Sequence, residues 1–268
     1  MRKSEPPQLS LKGIKYFRSG IPILENIDWE IEAGTHWVLL GRNGAGKTTL
    51  VNLIYGSIWP TAGTIKLFGE TFGETPLQEL RFRLGILDSS QQENALQSRL
   101  TTFDVLLTGF FHTIGYYREP SAWEEKEADR ILEEHGLGSK KGQLFRTLSS
   151  GEKKKVLFLR AMATSPDFII LDEPCSGLDL TAREEFLDFL SEYQKNRKFT
   201  SVYITHRLDE VPRFYDYAAL LKSGKILHSG PIQEAFSSDK LSELYDRKID
   251  VENKDGTWIG TAEREKRY

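Results

Sequence analysis

The stretch HWVLLGRNGAGKTTLVNLIYG, residues 36–56, decides the fold. It fills the pattern G-x-x-x-x-G-K-[S/T] at four positions, which are Gly41, Gly46, Lys47 and Thr48. An apolar, strand-like run precedes the pattern and a helix-like run follows it, as a phosphate-binding loop requires. A dinucleotide-binding loop is excluded because the glycines are spaced G-x-x-G-x-G. The stretch therefore predicts an α/β domain that binds nucleotide phosphates.

The residue types of this loop suit a nucleoside triphosphate with its metal ion. Glycines let the backbone wrap closely around phosphates, and N–H groups at the start of a helix point at the anion. Lys47 supplies positive charge to the β- and γ-phosphates, and the hydroxyl of Thr48 suits Mg²⁺. The predicted ATP-binding residues of the loop are Gly41, Arg42, Asn43, Gly44, Ala45, Gly46, Lys47, Thr48 and Thr49.

A second motif, FIILDEP at residues 168–174, is an apolar run followed by two carboxylates. Such a run is typical of a buried parallel strand with polar chemistry at its C-terminal end. We expect Asp172 to hold Mg²⁺ through water beside Thr48. Glu173 is next in sequence and its side chain is directed differently, so we expect it to orient or deprotonate an attacking water.

His206 ends another apolar run, SVYITH at residues 201–206. This strand should lie parallel to the strands that carry the phosphate loop and the two acids, because the chain alternates strands and helices. The sequence therefore predicts that His206 faces the γ-phosphate.

The residues Ser149, Ser150 and Gly151 come immediately before a helix-like run, EKKKVLFLRAMA at residues 152–163. They supply an N-cap and a small-residue approach for an anion, so they form a second candidate phosphate site. One nucleotide per chain does not need two such sites, but two chains packed as an isologous pair would. The three lysines at 153–155 fan around the helix, and we expect them to be solvated or to face a partner.

Composition limits the classes of function. The 268 residues are 39% hydrophobic and 28% charged, as in ordinary globular proteins. The net charge of -3 argues against electrostatic attraction of the whole protein to nucleic acid or anionic lipid. The single cysteine, Cys175, excludes an internal disulfide and suits a reducing cytosol. Without a secretory signal or an apolar run of about 18 to 20 residues, we expect a cytoplasmic chain whose membrane role would need a separate partner.

Together these motifs resemble those of the ATP-binding cassette (ABC) ATPases. GRNGAGKTT is similar to their Walker A motif, LSSGE at 148–152 to their signature motif and FIILDEP to their Walker B motif. SGLD, which ends at Asp179, resembles the D-loop, and His206 resembles the switch histidine. The resemblance extends from about residue 9 to 235. It implies a P-loop NTPase with a RecA-like α/β core, an N-terminal antiparallel β portion and a helical subdomain.

The resemblance also implies an assembly and further site residues. Two chains would form a head-to-tail homodimer with two ATP molecules at the interface. The signature residues would complete the ATP site of the partner chain; they are Ser149, Ser150, Gly151 and Glu152. Tyr16 would stack on adenine, although the neighbouring Phe17 is an alternative. We expect an ATP-binding domain over residues 1–235, with the helical subdomain inserted at about 90–160. No role is assigned to the polar extension 236–268.

Two features depart from the usual pattern. The family places a glutamine that contacts Mg²⁺ and reports nucleotide state to a membrane partner after the strand represented by RLGIL. Here Ser89 stands near that place, and Gln91 and Gln92 follow slightly later. The stretches GTHWVLLG and DEPCSGLD are similar to a branch that includes molybdate-associated ABC ATPases.

The predicted reaction is Mg-dependent hydrolysis of ATP to ADP and phosphate. The first hypothesis for its output is the energy-coupling subunit of a transporter, bound peripherally at the inner face of the cell membrane to a separate permease. The alternative is a soluble mechanochemical ATPase that acts on a ribosome, nucleic acid or regulatory protein. A small-molecule kinase would leave LSSGE and His206 unexplained.

Overall fold

The computed structural model describes residues 6–96, 99–113, 115–195 and 197–263. The strands are β1 (Leu9–Arg18), β2 (Ile21–Ile31), β3 (His36–Gly41), β4 (Ala62–Leu67), β5 (Glu70–Thr71), β6 (Leu84–Asp88), β7 (Phe168–Asp172), β8 (Thr200–Thr205), β9 (Tyr217–Lys222), β10 (Lys225–Pro231), β11 (Ile249–Lys254) and β12 (Thr257–Ala262). The helices are α1 (Lys47–Ile54), α2 (Leu77–Phe82), α3 (Ser89–Leu96), α4 (Thr102–Phe110), α5 (Ala122–Glu134), α6 (Ser150–Ala161), α7 (Leu180–Lys195), α8 (Ile232–Ala235) and α9 (Ser238–Tyr245).

The central sheet places the predicted catalytic motifs at one edge. Its six strands have the order β10-β9-β3-β8-β7-β6, and all are parallel except β10. The parallel register pairs Leu40 with Thr205 and Asp172 with Ile204. Because parallel strands end at the same edge, the phosphate loop, the two acids and His206 follow neighbouring strands.

A second sheet, with the order β2-β1-β4-β5, is antiparallel and covers one face of the central sheet. Apolar side chains fill the layer between the sheets around α1; they include Trp29, Trp37, Leu50, Ile65 and Phe168. This burial of apolar surface is what holds the phosphate loop against both sheets. The fold class predicted from the sequence, a P-loop NTPase with an N-terminal antiparallel portion, is confirmed.

The helices α3 to α6 lie between β6 and β7. Three of them begin with a capping box, in which an N-cap hydroxyl and a carboxylate three residues later bond each other's backbone N–H. The pairs are Thr101 with Asp104 at α4, Ser121 with Glu124 at α5 and Ser149 with Glu152 at α6. Gly136 follows the end of α5 at φ +71°, a left-handed conformation that glycine adopts easily.

The prediction for the lysines of α6 was wrong at Lys154. Its side chain is buried, with 3% exposure, and its Nζ lies 3.2 Å from Oε2 of Glu93 in α3. Lys153 contacts the other oxygen of the same carboxylate, at 3.7 Å. The three lysines do fan around the helix as predicted. Lys154 can be buried because the charge of Glu93 on α3 compensates it, and no local sequence pattern indicates that α3 packs there.

Residues 232–263, which follow β10, fold onto the central domain. Leu241 and Leu244 of α9 are buried in its core, and the rings of Phe236 and Trp258 lie 5.2 Å apart, edge to face. β11 and β12 form an antiparallel hairpin. Among the described residues, no helix combines the length and the apolar character needed to cross a membrane.

The buried ion pair gives a stability prediction. Glu93→Ala removes the carboxylate that compensates Lys154, so we expect the free energy of unfolding to fall by about 2 kcal/mol, less than for a fully buried pair because Glu93 is partly exposed. Urea unfolding measures this change, with Glu185→Ala, an exposed glutamate of α7, as the control. An equal effect of the two variants would contradict this role of the pair.

Candidate nucleotide-binding site

The phosphate loop joins β3 to α1 and approaches its neighbours closely. Gly46 has φ +107°, and a Cβ there would lie 2.8 Å from Cδ2 of Leu24. A Cβ at Gly41 would lie 2.5 Å from the carbonyl oxygen of Leu221. Glycine is therefore required at both positions. No side chain caps the start of α1, so its first N–H groups are free to bind an anion.

Lys47 folds back over the loop. Its Nζ donates hydrogen bonds to the carbonyl oxygens of Gly41, at 2.8 Å, and Arg42, at 3.2 Å. The same atom lies 3.7 Å from Oε1 of Glu173. Burial lowers the pKa of Lys47, while the charges of Glu173 and Asp172 act in the opposite direction. The ammonium group thus lies where the loop would surround phosphates.

Glu173 is at the centre of the site. Its Oε1 lies 3.1 Å from Nδ1 of His206 as well as near Lys47. Its backbone N–H bonds the carbonyl oxygen of Ile204 at 3.0 Å, and its φ is +45°, in the left-handed region that glutamate seldom adopts. Such strained backbone persists where the surrounding structure enforces it, and it concentrates at functional sites. The structure therefore brings three predicted residues from three motifs into contact.

The residues predicted to hold Mg²⁺ have suitable donor groups. Thr48 offers an exposed hydroxyl in the first turn of α1, and Asp172 ends β7. Burial, together with the nearby charges of Asp88 and Glu173, raises the pKa of Asp172 to about 7, while the charge of Lys47 acts in the opposite direction. A carboxylate so placed is one that a divalent cation would stabilise, and oxygen donors are those that Mg²⁺ prefers. Asp88 pairs with Asp172 in the β6–β7 register.

Among the described residues, no group of three or more His, Cys, Asp or Glu side chains is arranged to hold a metal ion. Mg²⁺ commonly uses one or two protein carboxylates together with phosphate oxygens and water.

The signature residues form the N-terminus of α6. Oγ of Ser149 accepts from the N–H of Glu152 at 3.2 Å, and the carboxylate of Glu152 accepts from the N–H of Ser149 at 2.9 Å. Ser150 is exposed, and a Cβ on Gly151 would lie 3.5 Å from that of Ala182 in α7. Glu152 is thus a capping residue in this chain. The helix start belongs to the helical segment, on a different element from the phosphate loop.

The D-loop residue precedes α7. Asp179 is exposed, and its Oδ1 accepts from the N–H of Ala182 at 2.8 Å, which caps the helix. The next residue, Leu180, is 67% exposed, an unusual fraction for leucine. The contact of Gly151 with Ala182 makes the D-loop and the signature turn neighbours.

The two aromatic candidates for adenine, Tyr16 and Phe17, lie in different environments. Tyr16 is half-buried and pairs in the β1–β2 register with Leu24, whose side chain packs on Gly46 of the phosphate loop. Phe17 is 41% exposed and pairs with Pro22. Cross-strand partners share a face of the sheet, so Tyr16 lies on the side of the loop.

The segment after β6 borders a cavity of about 200 Å³ between α1, β6, α4 and α6. Nε2 of Gln92 donates to the carbonyl oxygen of Ile86 at 3.0 Å. Oε1 of Gln92 and Oγ of Ser89 are buried without a hydrogen-bond partner in the described part of the chain. The side chain of Gln91 lies outside the described residues.

Sequence reasoning missed three residues of this region. Arg160 lines the cavity with 7% exposure and donates to Oγ1 of Thr108 at 2.7 Å. Its position inside the apolar run VLFLRAMA was an available signal. Asp88 was also signalled, because it ends the apolar run RLGILD just as Asp172 ends its own. Tyr245 donates to the carbonyl oxygen of His206 at 3.1 Å and had no signal.

Comparison with known proteins agrees with this geometry. A family model described as ABC transporter matches residues 24–176. The uncharacterized ABC transporter ATP-binding protein YlmA of Bacillus subtilis (strain 168) is 36% identical over 258 residues, which cover 95% of this chain and 97% of that protein. The molybdate/tungstate import ATP-binding protein WtpC of Thermococcus kodakarensis is 29% identical over 221 residues, which cover 82% of this chain and 64% of that protein.

A solved structure supports the same assignment. The structure of cbiO1 from Clostridium perfringens, part of the ABC transporter complex cbiONQ, matches with a TM-score of 0.76 and 27% identity. The match covers 89% of this chain and 94% of that one. The resemblance drawn from the motifs is therefore confirmed, and this chain belongs to the ABC transporter family as one of its ATP-binding subunits.

Proposed function

We propose that the chain hydrolyses ATP to ADP and phosphate with Mg²⁺, and that ATP-driven closure of a head-to-tail homodimer acts on a separate permease at the inner face of the cell membrane. The observation that carries this proposal is the contact of one carboxylate, Glu173, with both Lys47 and His206. A phosphate-binding cation, a water-activating base and a group that orients the base are the parts that this hydrolysis needs.

Each residue has a defined task in this reaction. Lys47 would leave the carbonyl oxygens of Gly41 and Arg42 and bind the β- and γ-phosphates. Mg²⁺ would be held by Thr48 and Asp172 and would neutralise charge on those phosphates. Glu173 would accept the proton of the attacking water at a carboxylate oxygen. His206, which donates from Nδ1 to Glu173, would keep that oxygen in position, and in its imidazolium form it would also donate from Nε2 to the γ-phosphate.

Two chains are needed to complete the site. The start of α6 offers a second anion-binding helix terminus, with Ser150 exposed beside it, and one chain needs a single nucleotide. Asp179 and Leu180 lie next to this turn and are exposed as well. An isologous pair would place these residues over the phosphate loop of the partner. Tyr16 would hold the adenine of the same nucleotide by stacking.

The cavity beside β6 is where we place the contact with the permease. Arg160 is buried there and donates to Oγ1 of Thr108 and to the carbonyl oxygen of Thr113, but among the described residues no carboxylate forms an ion pair with it. Gln92 keeps an unbonded carbonyl oxygen in the same wall. A buried charge is costly unless it is paired, and a buried polar atom is costly unless it is bonded, so both groups favour a partner segment that brings its own polar atoms. Asp88 connects this wall to the metal-binding edge of the sheet.

A mixture of two inactive chains tests the shared site. Lys47→Ala should lose ATP binding, and Ser150→Arg should block the partner's nucleotide without touching its own loop. In a mixed pair, the intact loop of one chain meets the intact signature turn of the other, so one site of two is restored. We expect an equimolar mixture to recover about a quarter of wild-type ATP hydrolysis, because about half of the pairs are mixed. No recovery, with pairing verified by light scattering, would contradict the shared site.

The permease contact can be tested at the mouth of the cavity. Ser57 is exposed and lines the cavity, so Ser57→Trp should obstruct it while leaving ATP hydrolysis by the isolated protein within about twofold of wild type. Tagged protein is recovered from detergent-solubilised membranes of its own cells. We expect the wild type to retain an integral membrane protein that Ser57→Trp loses.

The matched control is Ser229→Trp, at an exposed position of β10 far along the sheet from β6. Equal recovery of the membrane protein by all three chains would contradict docking at the cavity. Recovery of ribosomes or nucleic acid in place of a membrane protein would contradict the transporter function itself.

A further inference from the structure

Residues 238–263, which comprise α9 and the β11–β12 hairpin, form a unit that we call the C-terminal segment. It packs on the turn that follows His206. A Cβ at Gly260 of β12 would lie 2.7 Å from Cδ1 of Leu208, so the hairpin touches this turn directly. Oγ of Ser242 accepts from the N–H of Ile249 at 2.9 Å, which joins α9 to the hairpin.

One hydroxyl connects this segment to the catalytic residues. Oη of Tyr245 donates to the carbonyl oxygen of His206 at 3.1 Å. Burial raises the pKa of Tyr245 to about 12, so the hydroxyl keeps its proton and remains a donor at physiological pH. The side chain of His206 in turn contacts Glu173. Tyr245 is therefore linked to Glu173 through a single intervening residue, His206.

The adjacent residue contacts the phosphate loop. Asp246 ends α9 at φ +54°, and its carboxylate lies 3.5 Å from Nη1 of Arg42 and also bonds Nζ of Lys222. A cavity of about 140 Å³ separates α9 from the loop there. The Arg42 pair is exposed and contributes little energy by itself. The pair matters for its position. Tyr245 contacts the turn at His206 and Asp246 contacts the phosphate loop at Arg42, and these are the two loops that would surround the γ-phosphate.

We infer that the C-terminal segment positions His206, and that Tyr245 is the positioning residue that does so through the backbone carbonyl. This inference rests on the proposed ATP hydrolysis and adds a residue to it. A hydrogen bond to the carbonyl oxygen of His206 holds the peptide plane between residues 206 and 207. It thereby holds the backbone from which the imidazole extends, so that Nδ1 stays near Glu173. The same link makes the hairpin respond when nucleotide binding moves His206, because coupling between two sites is reciprocal.

Tyr245→Phe in the full chain is the direct test. It keeps the ring and removes one hydrogen bond, so we expect kcat for ATP to fall about three- to tenfold. The KM and the dissociation constant for ATP should stay within about twofold, because His206 acts on the reaction rather than on binding. The matched control is Tyr193→Phe in α7, which removes the hydroxyl that accepts from Arg197 and should leave kcat within about twofold.

Hydrogen exchange of the wild-type chain gives a second measurement that needs no substitution. We expect Mg-ATP to slow amide exchange in residues 249–262 together with residues 207–211, since the two regions are one packed unit. The inference would be overturned by an unchanged kcat in Tyr245→Phe, or by amide exchange rates in the hairpin that are the same with and without Mg-ATP. A wild-type chain that binds ATP without hydrolysing it would overturn the proposed function instead.

Discussion

The carboxylate of Glu173 depends on two contacts, to Nζ of Lys47 and to Nδ1 of His206, and most of the fold is arranged around them. Lys47 begins α1 after β3, Glu173 follows β7 and His206 follows β8. The three strands are neighbours and parallel, and the ends of adjacent strands differ by one residue in the register. One antiparallel strand among the three would separate these side chains by the length of a strand, and a different strand order would move them apart by about 4.8 Å for each intervening strand.

The charges of the site favour binding of a ligand that carries both a cation and an anion. Asp88, Asp172 and Glu173 bring negative charge to one edge of the sheet, and Lys47 supplies the opposing charge within the loop. The raised pKa of Asp172 and the lowered pKa of Lys47 both show charged forms held at a cost. A triphosphate with Mg²⁺ would satisfy both, because the metal offsets the carboxylates and the phosphates offset the ammonium group.

The sequence was sufficient for those parts of the site whose signal is local. The phosphate loop, the paired acids and His206 each combine a short motif with an apolar strand, and parallel strands then determine where they meet. The run RLGILD marks Asp88 as the end of a strand, but the register of β6 with β7, which places Asp88 beside Asp172, pairs residues that are distant in sequence and cannot be read from either run alone. Burial of Lys154 against Glu93 and the contact of Tyr245 with His206 are long-range in the same way. The roles of Tyr16 and the signature turn remain predictions, because they require a nucleotide and a second chain.

The most direct test of the central claim separates ATP binding from ATP hydrolysis in Glu173→Gln. This variant keeps the size and polarity of the side chain but removes the base, so we predict ATP affinity within a fewfold of wild type and single-turnover hydrolysis at least about 100-fold slower. Glu185→Gln, at an exposed position of α7, controls for loss of a surface charge. Wild-type turnover in Glu173→Gln, with ATP binding intact, would contradict the assignment of Glu173 as the group that activates water.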